Sequence, residues 1–200
     1  MRRTLTAHIL MTMTLAALLA LPASAASALT PTETVKSRVD EALQTLTQAS
    51  AASAGASEQR RAEIRRAADA LFDFTEMSRR ALGRHWTDRT PAERQEFVRL
   101  FTDLIAVAYI GKIDRYAGES IAYTGERVEG DTASVRSQVV TAKGSQIPVE
   151  YRLHRVNESW TAYDVLIENV SLVGTYRSQF DRIIRAESFA DLLRRLREKA

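Results

Sequence analysis

Residues 90–124 read TPAERQEFVRLFTDLIAVAYIGKIDRYAGESIAYT, and within them the hydrophobic period of the chain changes from helical to extended. The first four residues, Thr90-Pro91-Ala92-Glu93, have the Thr-x-x-Glu pattern of a capping box with proline at the first helical position. Apolar residues then recur at helical spacing as far as Tyr116, which predicts one long helix with a wide apolar face. After Gly118 the period becomes two, which predicts strands.

The segment after Gly118 predicts an antiparallel meander of four strands. In the clearest of them, apolar residues alternate with polar ones from Ile147 to Leu153. The strands are predicted at Ser120–Thr124, Ala133–Thr141, residues 147–153 and Trp160–Ile167, with turns at Lys143-Gly144 and Asn157-Glu158.

Helices are predicted before and after these strands. The first starts at a second capping box, Thr30-Pro31-Thr32-Glu33, and carries its apolar residues on one face. Asp73 is suited to cap a short helix that ends near Leu82-Gly83. The other predicted segments are a loop at 49–57, a helix at 58–71, and C-terminal helices at 172–185 and 189–198.

The predicted elements come in the order helices, consecutive strands, helices. This order is typical of an α+β domain with helices gathered on one side of an antiparallel sheet. We predict a mainly helical part at 26–117, the sheet at 118–170 and C-terminal helices at 171–200. All 14 aromatic residues lie between Phe72 and Phe189, so we expect the core there. Residues 26–71 have none, and we predict a peripheral helical lobe that either covers the rest or moves relative to it.

The N-terminus has the three parts of a secretory signal peptide. Arg2 and Arg3 precede an uncharged apolar run, and Pro22-Ala23-Ser24-Ala25 ends it, so cleavage is expected after Ala25 and residues 1–25 are removed. A membrane anchor is the less favoured alternative, because a stop-transfer helix needs a longer span and basic flanks. General and twin-arginine export both stay open. An exported chain without cysteine fits the bacterial periplasm, with residues 26–200 as the mature domain.

Composition excludes several classes of protein. The 28 basic and 25 acidic residues give a formal net charge of +3, and loss of Arg2 and Arg3 with the signal segment lowers it to +1. The remaining arginines alternate with acidic residues, so no nucleic-acid partner is predicted. A chain without cysteine has no disulfide, zinc–thiolate site or cysteine nucleophile.

Few residues suggest catalysis or metal binding. The predicted mature chain has two histidines, His85 and His154, and contains none of the metalloprotease, serine-hydrolase or phosphate-loop motifs, so no metal is predicted. Asp164 keeps an enzyme hypothesis open, because its alternation phase opposes that of Tyr163 and Val165 and a carboxylate in a sheet-lined cavity can act as a general base. The favoured alternative is an outward, hydrogen-bonded strand carboxylate.

Apolar faces suited to enclose a ligand are the more prominent feature. Alternate residues of the last two strands are expected to lie opposite the stripe of the long helix, and the segment after the last strand could close one side. These residues could also fill a solid core, which composition alone favours. The faces are Val149, Tyr151 and Leu153; Thr161, Tyr163, Val165 and Ile167; Phe101, Ile105, Tyr109 and Ile113; and Val170, Leu172, Tyr176 and Phe180.

Several motifs resemble those of the MlaC family, the periplasmic phospholipid-binding proteins also known as toluene-tolerance auxiliary components. The resemblance covers Pro31 to Lys199, with motif order and spacing in agreement. The motifs are FTEMSRRALGRHW at 74–86, TPAER at 90–94 with Phe97 and Phe101, YDV at 163–165, and VSL at 170–172 followed by YRSQF at 176–180.

The resemblance implies a helical lobe packed with a four-stranded, nuclear-transport-factor-like sheet lobe that encloses an apolar cavity. It implies a carrier that shuttles glycerophospholipids between an outer-membrane lipoprotein complex and an inner-membrane ABC transporter with an MCE-domain subunit, and so maintains outer-membrane lipid asymmetry. We expect a monomer with no cofactor besides its phospholipid cargo, whose tails lie between the sheet and the helix Pro91–Tyr116. The expected lipid-binding residues are Phe101, Ile105, Tyr109, Ile113, Val149, Tyr151, Val165, Ile167, Val170, Leu172, Tyr176 and Phe180.

One position departs from the family pattern. Members usually have glycine before Val-Ser-Leu, whereas this chain has Glu168-Asn169 before Val170. Asparagine tolerates a left-handed backbone better than other non-glycine residues, so the turn is expected to be retained, with some crowding at the pocket edge.

Two other classes of function stay open at this point. A small-molecule enzyme would use Asp164 as its base, and Asp164→Asn would discriminate it from a carrier. A structural adaptor would bind partners through its arginine faces and would have a solid core.

Overall fold

A computed structural model describes residues 29–49, 56–113 and 118–199, with side chains at 29–44, 62–108 and 118–199. The predicted signal segment and residues 50–55 of the loop predicted at 49–57 lie outside these residues, and the ends of that predicted loop are helical. No helix in the described ranges is both long and apolar enough to cross a membrane. The elements are α1 Pro31–Ala49, α2 Ala56–Leu71, α3 Phe74–Leu82, a 3₁₀ turn Gly83–Trp86, α4 Pro91–Ile113, β1 Ser120–Glu129, β2 Thr132–Val140, β3 Gln146–Val156, β4 Ser159–Ile167, β5 Val170–Ser171, α5 Leu172–Ala186 and α6 Phe189–Arg197.

Local capping explains where three helices begin. At α1 the Thr30 amide donates to Glu33 Oε2 at 2.8 Å, and the Glu33 amide donates to Thr30 Oγ1 at 3.2 Å. Thr90 and Glu93 repeat the pair at α4, at 2.8 and 3.3 Å. The Asp73 carboxylate accepts a backbone amide of α3 at 2.8 Å. The three predicted starts are confirmed, and each such cap is worth about 1 kcal/mol.

The described strands form one open sheet in the order β1-β2-β3-β4-β5, with every neighbouring pair antiparallel. The α+β class is confirmed, and the predicted number of four strands is wrong. The fifth strand has two residues, too few for a period of two to show in the sequence. It follows a turn in which Glu168 and Asn169 have φ angles of 51° and 65°, so the left-handed conformation expected of Asn169 is confirmed.

A β-bulge in β4 changes the face of half of this strand. Arg152 pairs with Asp164, and the next residue, Leu153, pairs with Ala162, which leaves Tyr163 as the extra residue. A bulge shifts the alternation of side chains by one position. The prediction of one common face is therefore wrong for the residues Thr161, Tyr163, Val165 and Ile167, because the bulge separates the first two from the last two.

Buried side chains form two clusters. The first joins α3, α4, α5 and α6, and its centre is a group of rings in which Phe97, Phe101 and Phe180 have centroids 5.3 to 5.7 Å apart. The second joins the sheet to α1 and α2 through residues such as Val35 and Leu71, which are 0% and 3% exposed. The expected limit of the core at residue 72 is wrong, since α1 and α2 cover the sheet and share its core.

Candidate functional site

The first pocket lies between the sheet and the helices α1, α2 and α4, and we call it the sheet pocket. The sheet contributes Val149 and Tyr151, which pair with Ile167 and Val165 of the neighbouring strand. The pocket has a volume of about 360 Å³ and is mostly apolar. Its lining residues are Arg38, Val39, Ala42, Leu43, Ile64, Arg65, Ala67, Ala68, Leu71, Phe72, Phe74, Met77, Thr102, Ile105, Ala106, Val149, Tyr151, Val165, Ile167 and Leu172.

One wall of the sheet pocket comes from α1 and α2, because each carries apolar residues at helical spacing. The residues that line the pocket from α1 include Val39, Ala42 and Leu43, and those from α2 include Ile64 and Leu71. Alanines between the larger side chains leave space that bulkier residues would fill. Sequence reasoning missed this wall, although the apolar period of the first helix was the available signal.

The polar side chains of the sheet pocket already have partners. Arg38 Nη1 lies 3.2 Å from a carboxylate oxygen of Glu41, and Arg65 Nη1 lies 2.9 Å from Asp103 Oδ1. The Thr102 hydroxyl donates to a carbonyl of its own helix at 2.7 Å. Both arginine side chains are more than a third exposed, so the charges stand at the edge of the pocket and the interior is apolar.

Tyr151 adds a buried phenol to the sheet pocket. Burial raises the pKa of Tyr151 to about 12, and a hydrogen bond with Ser137 opposes this shift. The Ser137 hydroxyl donates to the Val149 carbonyl at 3.3 Å, so its oxygen is free to accept from the phenol. Tyr151 therefore stays neutral at neutral pH and adds no charge to the pocket.

The second pocket lies between the end of β4, β5, α5 and α6, and we call it the α5–α6 groove. It has a volume of about 800 Å³ and a mixed lining of apolar and polar side chains, which includes Arg194, Arg195 and Lys199. Three residues, Val165, Ile167 and Leu172, line both pockets, so the two adjoin. The other lining residues of the groove are Leu104, Val170, Ser171, Thr175, Tyr176, Gln179, Phe180, Ile183, Leu192, Leu196 and Glu198.

Known proteins share this arrangement of helices and sheet. The family model of the MlaC protein matches residues 36–198. The chain belongs to the MlaC family. A solved structure of a phospholipid-binding protein from Ralstonia solanacearum, determined in complex with a phospholipid, is 26% identical to it with a TM-score of 0.72. That match covers 83% of this chain and 94% of the other chain.

The residues predicted to bind lipid in this MlaC-family protein are divided between the two pockets. The single enclosed cavity implied by the resemblance stays a prediction, because the described residues form two adjoining pockets. Six predicted residues line the sheet pocket: Ile105, Val149, Tyr151, Val165, Ile167 and Leu172. Three more line only the groove: Val170, Tyr176 and Phe180.

Of the three remaining predicted lipid-binding residues, Phe101 lines neither pocket, and the other two lie where the structure does not describe side chains. Phe101 is 0% exposed and packs in the helical core, with its ring centroid 5.1 Å from that of Tyr176. A wide apolar stripe contains both core and pocket residues, and spacing alone does not separate them. Tyr109 and Ile113 belong to the last turns of α4, whose side chains lie outside the described part of the protein.

Asp164, the candidate general base, is 4% exposed, so the prediction of an outward carboxylate is wrong, whereas the predicted hydrogen bonding is confirmed at both of its oxygens. Its Oδ2 accepts from the Ser171 hydroxyl at 2.6 Å, and its Oδ1 accepts from the Val173 amide at 3.0 Å. Ser171 in turn caps α5 by accepting from the Gly174 amide at 2.8 Å. The carboxylate lines neither pocket and joins β4 to the start of α5, which is a structural role.

The two histidines of the described residues also have structural partners. His85 Nε2 lies 2.8 Å from Asp181 Oδ1, and His154 Nε2 lies 3.1 Å from Asp73 Oδ2. The hydrogen bond from His85, followed by one from Arg84, holds the pKa of Asp181 below its usual range. Within the described ranges, no group of three or more potential ligand side chains is placed to hold a metal ion.

Proposed function

We propose that this chain is a periplasmic phospholipid carrier whose sheet pocket takes hydrocarbon of a glycerophospholipid. The observation that carries the proposal is the apolar sheet pocket between β3, β4 and three helices. Membership of the MlaC family, and likeness to a protein determined with a bound phospholipid, support the ligand class. Ile105, Val149 and Val165 are proposed to contact the hydrocarbon, together with the wall from α1 and α2.

The hydrophobic effect explains why such a carrier needs an apolar pocket. A diacyl phospholipid in water exposes roughly 30 methylene groups at about 0.8 kcal/mol each, a penalty on the order of 20 kcal/mol. Diffusion through water is therefore slow unless a protein covers the tails. A head group left near water needs few specific contacts, so weak discrimination between head groups is expected.

The carrier is proposed to exchange its cargo with two membrane complexes. These are an outer-membrane lipoprotein complex and an inner-membrane ABC transporter with an MCE-domain subunit, and the exchange would maintain outer-membrane lipid asymmetry and toluene tolerance. The signal peptide would direct export and be cleaved after Ala25, and the carrier would act as a monomer. Transfer requires a difference in affinity between carrier and complex and no bond chemistry, which fits the structural role of Asp164.

The proposal can be tested by filling the sheet pocket. Ala68 lines the pocket, and Ala68→Trp adds nine non-hydrogen atoms, which take the place of several methylene groups of a bound chain. Each methylene group of the lipid that the indole displaces removes about 0.8 kcal/mol of binding free energy. Displacement of two such groups is therefore enough to weaken the affinity about tenfold. We expect uptake of a fluorescent phospholipid from vesicles to weaken at least about tenfold.

Ala70→Trp is the matched control. Ala70 lies on the same helix, is exposed and does not line the pocket, so uptake is expected to match that of the wild-type protein. Equal uptake by the Ala68 and Ala70 variants, with both folded, would show that phospholipid does not occupy the sheet pocket.

A further inference from the structure

Two of the motifs that resemble the MlaC family meet on a surface outside both pockets. The motif at 74–86 ends in the turn Gly83–Trp86, and the motif at 176–180 lies on α5, which packs against α3. Arg84 of the turn reaches Asp181 of α5, with Nη2 2.7 Å from Oδ1. This surface belongs to neither the sheet pocket nor the α5–α6 groove, so lipid binding in the pockets does not explain it.

Four exposed arginines make this surface basic. Asp181 is the acidic residue that pairs with two of them, so four guanidinium groups and one carboxylate leave three positive charges in excess. In the sequence these arginines belong to two separate segments, and the fold brings them together. We call the surface the basic face, and its arginines are Arg84, Arg177, Arg182 and Arg185.

Arg177 is positioned on the basic face without an anion. Its guanidinium lies against Gly83, where a Cβ atom would be 2.8 Å from Arg177 Nε. Asp181, four residues later on α5, is already bonded by three other side chains at 2.7 to 3.0 Å. Neither Arg177 nor Arg182 forms an ion pair with the residues that the structure describes, so both charges are available to an anionic partner.

The residues beside these arginines suit a membrane surface better than a protein surface. Gly174 and Ser178 lie on the same side of α5, are exposed, and provide no large apolar side chain. Tight protein interfaces centre on side chains that fill well-packed, desolvated pockets, which small polar residues do not provide. An anionic bilayer attracts several basic residues at once and needs no fitted pocket. The chemistry of the basic face therefore favours anionic lipid head groups.

We propose that the basic face docks the protein reversibly on the surface of an anionic phospholipid bilayer. Each basic residue near such a surface strengthens binding about fivefold. The two arginines without ion pairs, Arg177 and Arg182, contribute most, so the binding is weak enough for a carrier to leave the membrane. Docking of this kind goes beyond the carrier proposal, because it uses none of the residues that line the pockets.

Co-sedimentation of the protein purified from cells with phospholipid vesicles tests the docking. Wild-type protein is expected to pellet with vesicles of equal parts phosphatidylglycerol and phosphatidylcholine, and not with phosphatidylcholine alone. The double variant Arg177→Gln/Arg182→Gln loses two contributions of about fivefold, so its affinity for the anionic vesicles is expected to fall at least about tenfold. Salt at about 0.5 M is expected to release the wild-type protein, because the Debye length then falls to about 4 Å.

Arg136→Gln/Lys143→Gln is the matched control. Both side chains are exposed, belong to the sheet region, and form no ion pair with the residues that the structure describes. Arg136 also lies against a glycine, since a Cβ atom at Gly125 would be 2.7 Å from its Nη2. Loss of the same two charges away from the basic face is expected to leave the affinity for vesicles within about twofold of wild type.

Equal losses in the two double variants, or wild-type binding that high salt does not weaken, would overturn the docking. Wild-type protein that stays in solution with the anionic vesicles would also overturn it and would leave the basic face to an acidic protein. Uptake of fluorescent phospholipid from phosphatidylcholine vesicles separates the docking from the carrier proposal. This uptake is expected to be equal in wild type and both double variants, and its absence in wild type would contradict the carrier function alone.

Discussion

Asp164→Asn tests whether the buried carboxylate of β4 is structural or catalytic. In the wild-type protein its two oxygens accept from the Ser171 hydroxyl and the Val173 amide at 2.6 and 3.0 Å. An asparagine side chain has one acceptor oxygen and an NH₂ group, so one of these two donors loses its acceptor. The substitution keeps the size of the side chain and changes only its hydrogen bonding and charge.

The expected loss of stability follows from these two bonds. A hydrogen bond to a charged group contributes about 1.5 to 3 kcal/mol, and a buried donor left unsatisfied costs about 1 to 3 kcal/mol. The ion pair of Asp164 with Arg152 is also lost, but its atoms are 3.8 Å apart and the Arg152 side chain is 43% exposed. Its loss therefore adds little to the cost in stability. Removal of a buried negative charge offsets part of the cost, so we expect the free energy of unfolding to fall by about 1 to 3 kcal/mol.

Urea unfolding at neutral pH measures this change, with Asp131→Asn as the control. The Asp131 side chain is 90% exposed and 4.0 Å from its partner, so its replacement is expected to change stability by less than about 0.5 kcal/mol. Phospholipid affinity of the folded Asp164 variant is expected to stay within about twofold of wild type. A stability loss no larger than that of the control, or lost lipid binding in a folded variant, would refute the structural role.

The remaining predictions concern the two clusters of buried residues. Because the pKa of Tyr151 is raised from 10 to about 12, its contribution to stability is complete below pH 10 and is lost as the pH rises toward 12. We expect the advantage of wild type over Tyr151→Phe to fall by about 1 kcal/mol per pH unit in this window, measured by unfolding in denaturant, and a constant difference would contradict the burial of the phenol. Phe97 is 0% exposed among three other rings, so Phe97→Ala is expected to lower the free energy of unfolding by about 3 to 5 kcal/mol. Exposed Val107→Ala is the comparison, and equal effects in the two variants would place the helical core elsewhere.

Sequence predicted well where the structure depends on a few neighbouring residues. The capping boxes at Thr30 and Thr90 involve side chains three residues apart, and the left-handed turn at Asn169 depends on one backbone preference. The long helix, the strands β2 to β4 and the family resemblance follow from such local patterns.

The features that sequence reasoning missed depend on contacts between distant segments. The bulge at Tyr163 is set by the pairing of β3 with β4, and alternation along one strand does not contain that register. The position of α1 over the sheet involves a bond of 2.7 Å from the Thr32 amide to the Glu126 carboxylate, 94 residues away in the chain. The apolar period of the first helix indicates that one face is packed, but its position as a wall of the sheet pocket depends on that long-range placement.

Native mass spectrometry of the protein purified from cells, followed by lipid extraction, tests the phospholipid-carrier proposal most directly. The proposal predicts a complex with the mass of one chain plus one glycerophospholipid, and reduced occupancy in Ala68→Trp but not in Ala70→Trp. Lipid-free protein that also failed to take up labelled phospholipid from vesicles would contradict it.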